Sequence, residues 1–223
     1  MEVNNTKKIW NAYDTTLVAD DVVAYHGTSL SCLRKIVEKG FMTGSTLQGE
    51  VFLFPIQGRT LVRGNDTKPT CGGYEGMELD AAKGYANRTE WREFLAERLQ
   101  LNLEIESEKD IYDQLGYFVE EYKIGSPHTN KSLHRICPEV EGIYDFLLEK
   151  GYDDKKMDAL INEARQRQGV VLGFSEHVFA RGFSPGHLGN DVRVLTPSID
   201  TIVGIEPLDV RVKSYLDSLD PEQ

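Results

Sequence analysis

Two different periods of apolar and polar positions run along this chain. Asp21-Val22-Val23-Ala24-Tyr25-His26-Gly27-Thr28 starts with β-branched residues and ends on Gly-Thr, which predicts a short strand running into a turn. Ser29 is placed to cap the next helix, in which Leu30, Leu33 and Ile36 or Val37 recur at helical spacing, and Gly40 is placed to end it in a left-handed cap. Gly49-Glu50-Val51-Phe52-Leu53-Phe54-Pro55 predicts a second strand closed by proline. Residues 56–76 are rich in Gly and turn residues and predict a long surface loop carrying Arg59, Arg63 and Lys68. Asp80 is expected to cap a helix through Ala81–Ala86.

From Thr89 to Gln168 the helical period takes over. Trp91, Phe94, Leu95 and Leu99 follow it, as do Ile111, Leu115, Phe118 and Val119, then Ile143, Phe146 and Leu147, then Met157, Leu160 and Ile161. Breaks at Gly125-Ser126-Pro127, Pro138 and Gly151 divide the stretch into about four helices, expected to pack together as an insertion. After Gly169 the pattern returns to strands: Val170–Phe174, Asp191–Leu195 and Thr201–Ile205, with a Gly-rich loop at 181–190. Residues 1–20 are polar and mixed, with Trp10 and Tyr13 as anchors.

Composition narrows the function classes. A chain of 223 residues is long enough to bury a core without disulfides or metals. Its apolar runs are too short for a transmembrane helix, and the polar start does not read as a secretory signal. Cys32, Cys71 and Cys137 are odd in number and widely spaced, which fits a reducing cytoplasmic setting rather than a disulfide framework or zinc site. The formal charge of −11 disfavours unassisted binding to nucleic acid or anionic membrane. Residues 89–168 hold 18 acidic and 11 basic side chains and so carry most of the excess. They are expected to present a solvated acidic face.

Four motifs stand in order. His26-Gly27-Thr28 lies at a strand end before a helix, and Gly49-x-Val51-Phe52-Leu53 lies on a strand. Ala82-x-x-Tyr85-Ala86 falls on the next helix. Asp191 opens a strand of pattern acid-Val-x-Val, followed by Ile-x-Gly-Ile. In this order they resemble the ADP-ribosyltransferase superfamily, in the diphtheria-toxin and poly(ADP-ribose) polymerase branch, whose motif is written H-Y-E. The resemblance covers residues 22–54, 79–87 and 170–209.

The resemblance implies an α+β fold, in which two small antiparallel sheets form an NAD cleft. Residues 1–223 would then be one domain with 89–168 inserted. It implies that His26 hydrogen-bonds the ribose next to adenine, and that the backbone of Gly27 and Thr28 pairs with the nicotinamide amide. Phe52 stands where the family usually has a tyrosine on the nicotinamide ring, Tyr85 is the second stacking aromatic, and Asp191 takes the glutamate position. The triad thus reads His-Phe-Asp; rifamycin-modifying ADP-ribosyltransferases resemble a His-Tyr-Asp version.

These residue types suit the chemistry. Breaking the nicotinamide–ribose bond passes through an oxocarbenium-like state, as in glycoside hydrolysis. A carboxylate orients the ribose 2′-hydroxyl and balances the developing positive charge, an aromatic wall holds the nicotinamide, and a neutral polar group fixes the distal ribose. Asp191 is the expected acid and Glu206, at a strand end before Pro207, the alternative. Glu176-His177 is read as a solvated strand end, and His128, His134 and His187 as surface or loop residues.

The expected function is therefore mono-ADP-ribosylation of a macromolecular acceptor from NAD, with release of nicotinamide. The alternatives are a binding module that keeps the fold without the chemistry, and an RNA 2′-phosphotransferase. The resemblance also implies a toxin or defence factor, for which an inhibitory partner protein is expected. Arg59, Arg63, Lys68, Lys83 and Arg88 along the loop and helix make single-stranded nucleic acid an acceptor to weigh against protein.

Overall fold

The computed structural model describes residues 2–13, 17, 20–41, 50–56, 77–132, 140, 142–185 and 192–220. The fold is mixed α and β. The chain divides into two compact units, one built from the residues up to Ala86 and from Gly169 onward, the other from Asn87–Gln168. No helix among the described residues is long and apolar enough to cross a membrane.

Among the described residues the first unit has six strands: β1 (Ala24–Thr28), β2 (Glu50–Pro55), β3 (Val170–Phe174), β4 (Ser184–Pro185), β5 (Val192–Leu195) and β6 (Ile202–Pro207). They lie in the order β4-β5-β2-β1-β3-β6, and every pairing is antiparallel. The expectation of two separate sheets is corrected to one continuous order, because β2 serves both halves. Its residues Glu50–Leu53 pair with β5, while Phe54 and Pro55 pair with Tyr25 and Ala24 of β1.

Strand alternation sends side chains to two faces. Ala24, Leu53, Leu172, Val192 and Ile205 belong to a core shared with α1 (Glu2–Tyr13), α2 (Leu30–Lys39) and the C-terminal helix Val210–Asp217. Tyr25, Phe54 and Val171 pack with Ala82 of α3 (Glu78–Leu99), and Tyr85 packs against that cluster.

Helix α2 forms as its sequence dictates. Ser29 accepts a hydrogen bond from the Cys32 amide, Leu30, Leu33, Ile36 and Val37 are buried, and Gly40 closes the helix at φ 76° and ψ −174°. That backbone region is essentially restricted to glycine. Helix α1 is a structure the polar N-terminal sequence does not announce. It buries Ile9 and Ala12, and Tyr13 donates to Asp217 at 3.0 Å.

Two local expectations are corrected. His26-Gly27-Thr28 is not a turn: all three residues lie within β1, paired with Leu172, Val171 and Val170. Gly27 is needed for close approach rather than as a stop, since a Cβ there would fall 1.9 Å from the Ala82 carbonyl oxygen. Asp80 is not a cap. It sits in the first turn of α3, which begins at Glu78 and runs to Leu99.

In the second unit the remainder of α3 is followed by α4 (Glu106–Glu121), α5 (Pro127–Asn130), α6 (Ile143–Glu149) and α7 (Asp154–Arg165). Phe94, Leu95, Leu115, Phe118, Leu147, Met157 and Ile161 form its buried centre. The C-terminal carbonyls of α4 have no partner within the helix, and Arg165 supplies one by donating to Val119 and Tyr122 oxygens, each at 2.6 Å. The fully buried Asn130 pairs with both the amide and the carbonyl of Lys123 at 2.8 Å.

Candidate functional site

Ladder pairs between β1 and β2 stop at Tyr25↔Phe54. One residue further along β1, the His26 ring takes over the link: Nδ1 lies 2.7 Å from the Phe52 carbonyl oxygen. A carbonyl only accepts, so Nδ1 carries the proton and donates. In the neutral ring Nε2 is then an acceptor. Burial pushes the His26 pKa down to about 4, outweighing the Phe52 carbonyl, which pulls it the other way. At neutral pH the ring is therefore an uncharged hydrogen-bond acceptor held in a fixed orientation.

Aromatic groups gather around it. The Tyr85 ring centroid is 6.3 Å from that of His26 at an interplanar angle of 47°. It is also 6.3 Å from that of Phe54, edge-on at 62°. Tyr85 reaches this position because Ala82 and Ala86, its small neighbours on α3, sit over Gly27; a Cβ on Gly27 would also lie 2.6 Å from the Ala86 amide nitrogen. The small-x-x-Tyr-small spacing is thus a packing device that seats a helix on a glycine and delivers one aromatic ring beside the histidine.

Of the two alternating phenylalanines, Phe54 is core at 3 % exposure, whereas Phe52 is only partly buried. Phe52 is paired in register with Arg193 of β5, and the guanidinium carbon of Arg193 lies 5.4 Å from the centre of the Phe52 ring. Sequence reading passed over Arg193. The signal was its place two residues beyond the acid in acid-Val-x-Val, since positions i and i+2 of a strand share a face.

The structure thus brings His26, Gly27, Phe52 and Tyr85 together where β1 and β2 part. Thr28 follows in β1 and is buried, paired with Val170. Asp191, the expected acid, lies outside the described residues, as do Arg59, Arg63, Lys68, His134 and His187. Glu206, the alternative acid, is on β6 opposite Val171, and its carboxylate is ion-paired with Lys83 at 2.7 Å. Arg88 is likewise engaged, with Glu120 at 3.0 Å. Lys83 and Arg88 are therefore committed to carboxylates rather than standing as an open cationic track. Glu176 and His177 lie in an exposed 3-10 turn, and His128 is exposed on α5.

Among the described residues, the arrangement holds the neutral acceptor of His26, the Gly27 backbone, the rings of Phe52 and Tyr85, and the Arg193 guanidinium over Phe52. No protein-family model, curated protein or solved structure matches this chain.

Proposed function

We propose that the protein is an NAD-dependent mono-ADP-ribosyltransferase with an ADP-ribosyltransferase-like fold, acting on a macromolecular acceptor. The observation that carries this reading is the His26–Phe52 link at the parting of β1 and β2, with Tyr85 against the same histidine. A neutral acceptor at Nε2 suits a ribose hydroxyl, which donates. Beyond Tyr25 the edge of β1 that faces β2 has no ladder pair among the described residues. In this reading, that edge at Gly27 meets the nicotinamide amide.

In the proposed reaction the bond between nicotinamide nitrogen and ribose C1′ breaks, the electron pair leaves with nicotinamide, which becomes neutral, and the acceptor nucleophile bonds to C1′ and gives up its proton to solvent. Asp191 is assigned the carboxylate that holds the ribose 2′-hydroxyl and balances the positive charge at C1′. Phe52 and Tyr85 are assigned the walls of the nicotinamide site. Aromatic contact of this kind contributes about 0.5–1.5 kcal/mol for each pair.

The test is nicotinamide release from NAD by the purified full chain, with calorimetric NAD binding beside it. Wild type is expected to bind and cleave NAD, and His26→Ala to bind it about 5- to 100-fold more weakly while keeping its fold. Absence of NAD binding by the wild type overturns the reading, and binding without release identifies a binding module.

A further inference from the structure

Phe52 is held at two points by two different strands. Its carbonyl oxygen accepts from His26 at 2.7 Å, and its ring lies against Arg193, whose guanidinium carbon stands 5.4 Å from the ring centre. Phe52 and Arg193 are in register across β2 and β5, so their side chains share a face of the sheet. Their strand neighbours point the other way: Leu53, Val192 and Val194 belong to the core shared with α1 and α2, and Val51 packs against it. Phe52 therefore stands outside that core, and it is only partly buried, as is Arg193.

A wall for a flat ligand ring has to keep one orientation. Tyr85, the other proposed wall, meets the rings of His26 and Phe54. Phe52 meets a guanidinium instead. That group is planar, packs on one face of an aromatic ring, and so restricts the ring's rotation about its side-chain bonds. We propose that Arg193 is a positioning residue that fixes the Phe52 ring as a wall for the nicotinamide of NAD. The ligand in this proposal rests on the ADP-ribosyl-transfer reading. The role needs the place and plane of the guanidinium, not open donors.

The experiment compares wild type, Arg193→Gln and Arg193→Lys in the full chain, with thermal melts to establish folding. Fluorine NMR, with Phe52 replaced by para-fluorophenylalanine, reads the order of the ring without any ligand. Calorimetry compares NAD with ADP-ribose, which lacks nicotinamide. Wild type is expected to give one sharp fluorine line, and Arg193→Gln a broadened or divided one. Arg193→Gln is expected to weaken NAD about 3- to 10-fold and to leave ADP-ribose within about twofold. Arg193→Lys should recover part of the loss, because an ammonium keeps the charge over the ring without the plane. In a Phe52→Ala background Arg193→Gln should weaken NAD no further, since the arginine acts only through the ring. Should Arg193→Gln fail to fold, Arg193→Met, which keeps an apolar stem, takes its place with the same expectations. An unchanged fluorine line, unchanged NAD affinity, an equal loss for ADP-ribose, or additive losses with Phe52→Ala overturns the assignment. A wild type that does not bind NAD overturns the proposed function instead, and the fluorine line then decides alone whether Arg193 holds Phe52.

Discussion

His26 and Phe52 are joined by a side chain–to–backbone hydrogen bond of 2.7 Å at the point where their strands stop pairing. The bond replaces a ladder contact with an imidazole, and burial, outweighing the upward pull of the Phe52 carbonyl, keeps that imidazole neutral with a pKa of about 4. In the unfolded chain the same ring takes a proton near pH 6.5. Between these values the unfolded state binds more protons, so stability is full above pH 6.5 and falls as pH is lowered toward 4. The drop expected from this residue is roughly 3 kcal/mol. His26→Asn keeps an N–H donor for the Phe52 carbonyl and removes the titration. Urea unfolding at pH 7 and pH 5 should show a smaller difference in this variant than in wild type. An equal difference in both would assign the pH dependence to other groups.

Glycine substitutions should separate close approach from mere presence in an element. Gly27→Ala places a methyl 1.9 Å from the Ala82 carbonyl oxygen, and Gly169→Ala places one 2.3 Å from that of Thr28. Both neighbours are backbone atoms that cannot rotate away. Each change is expected to cost about 1–3 kcal/mol or more. Gly84 lies in the same α3 helix with nothing within 4 Å of the added carbon. Gly84→Ala should therefore stabilise by roughly 0.5–1 kcal/mol. Denaturation midpoints of the three variants check the ordering, and a neutral Gly27→Ala would refute the helix-on-glycine packing.

The helical unit has its own test in Arg165. Its guanidinium meets the carbonyls of Val119 and Tyr122 at the end of α4. Charged hydrogen bonds of this kind contribute about 1.5–3 kcal/mol, so Arg165→Ala should lower the melting temperature measurably. Arg165→Lys should recover only part, because a point charge cannot serve carbonyls on two sides as a planar fork does. Full recovery by lysine would mean that charge alone, not the fork, is what α4 requires.

What the sequence announced was local. The Ser29 cap and the Leu30–Val37 stripe are written within a dozen residues and formed as written, while Gly40 ends the helix at positive φ but with ψ −174° rather than in a left-handed helical cap. The helical period of residues 89–168 was equally legible, because each buried stripe repeats inside its own helix. Gly27 was misread as a stop, since its reason lies in Ala82, far along the chain. Asp80 resembled a cap because nothing local tells a cap from a first-turn acid; both favour the helix N-terminus. His26 and Tyr85 were nominated by the family resemblance of their motifs, but the imidazole's partner is a backbone carbonyl, which has no sequence signature. Arg193 was passed over for a similar reason: its meaning depends on the β2–β5 register.

The assignment of the carboxylate is the sharpest test of the proposed chemistry. Asp191 directly precedes Val192, the first residue of β5, in the sequence. Glu206 is the only other acid that the motif order nominates, and its carboxylate is held by Lys83 at 2.7 Å. An ion pair this exposed contributes about 1 kcal/mol or less, so Glu206→Gln should fold normally and leave nicotinamide release near wild type. Asp191→Ala should lower turnover by about 10²–10³, the usual loss when one charge-stabilising group is removed. Asp191→Asn should fall nearly as far, because the amide keeps a hydrogen bond without the negative charge that an oxocarbenium-like state requires. NAD affinity should change less than turnover in both variants, since the charge at C1′ develops only as the bond breaks. Loss of NAD cleavage in Glu206→Gln, with Asp191→Ala spared, would move the carboxylate role to β6 and make Lys83 its positioning partner.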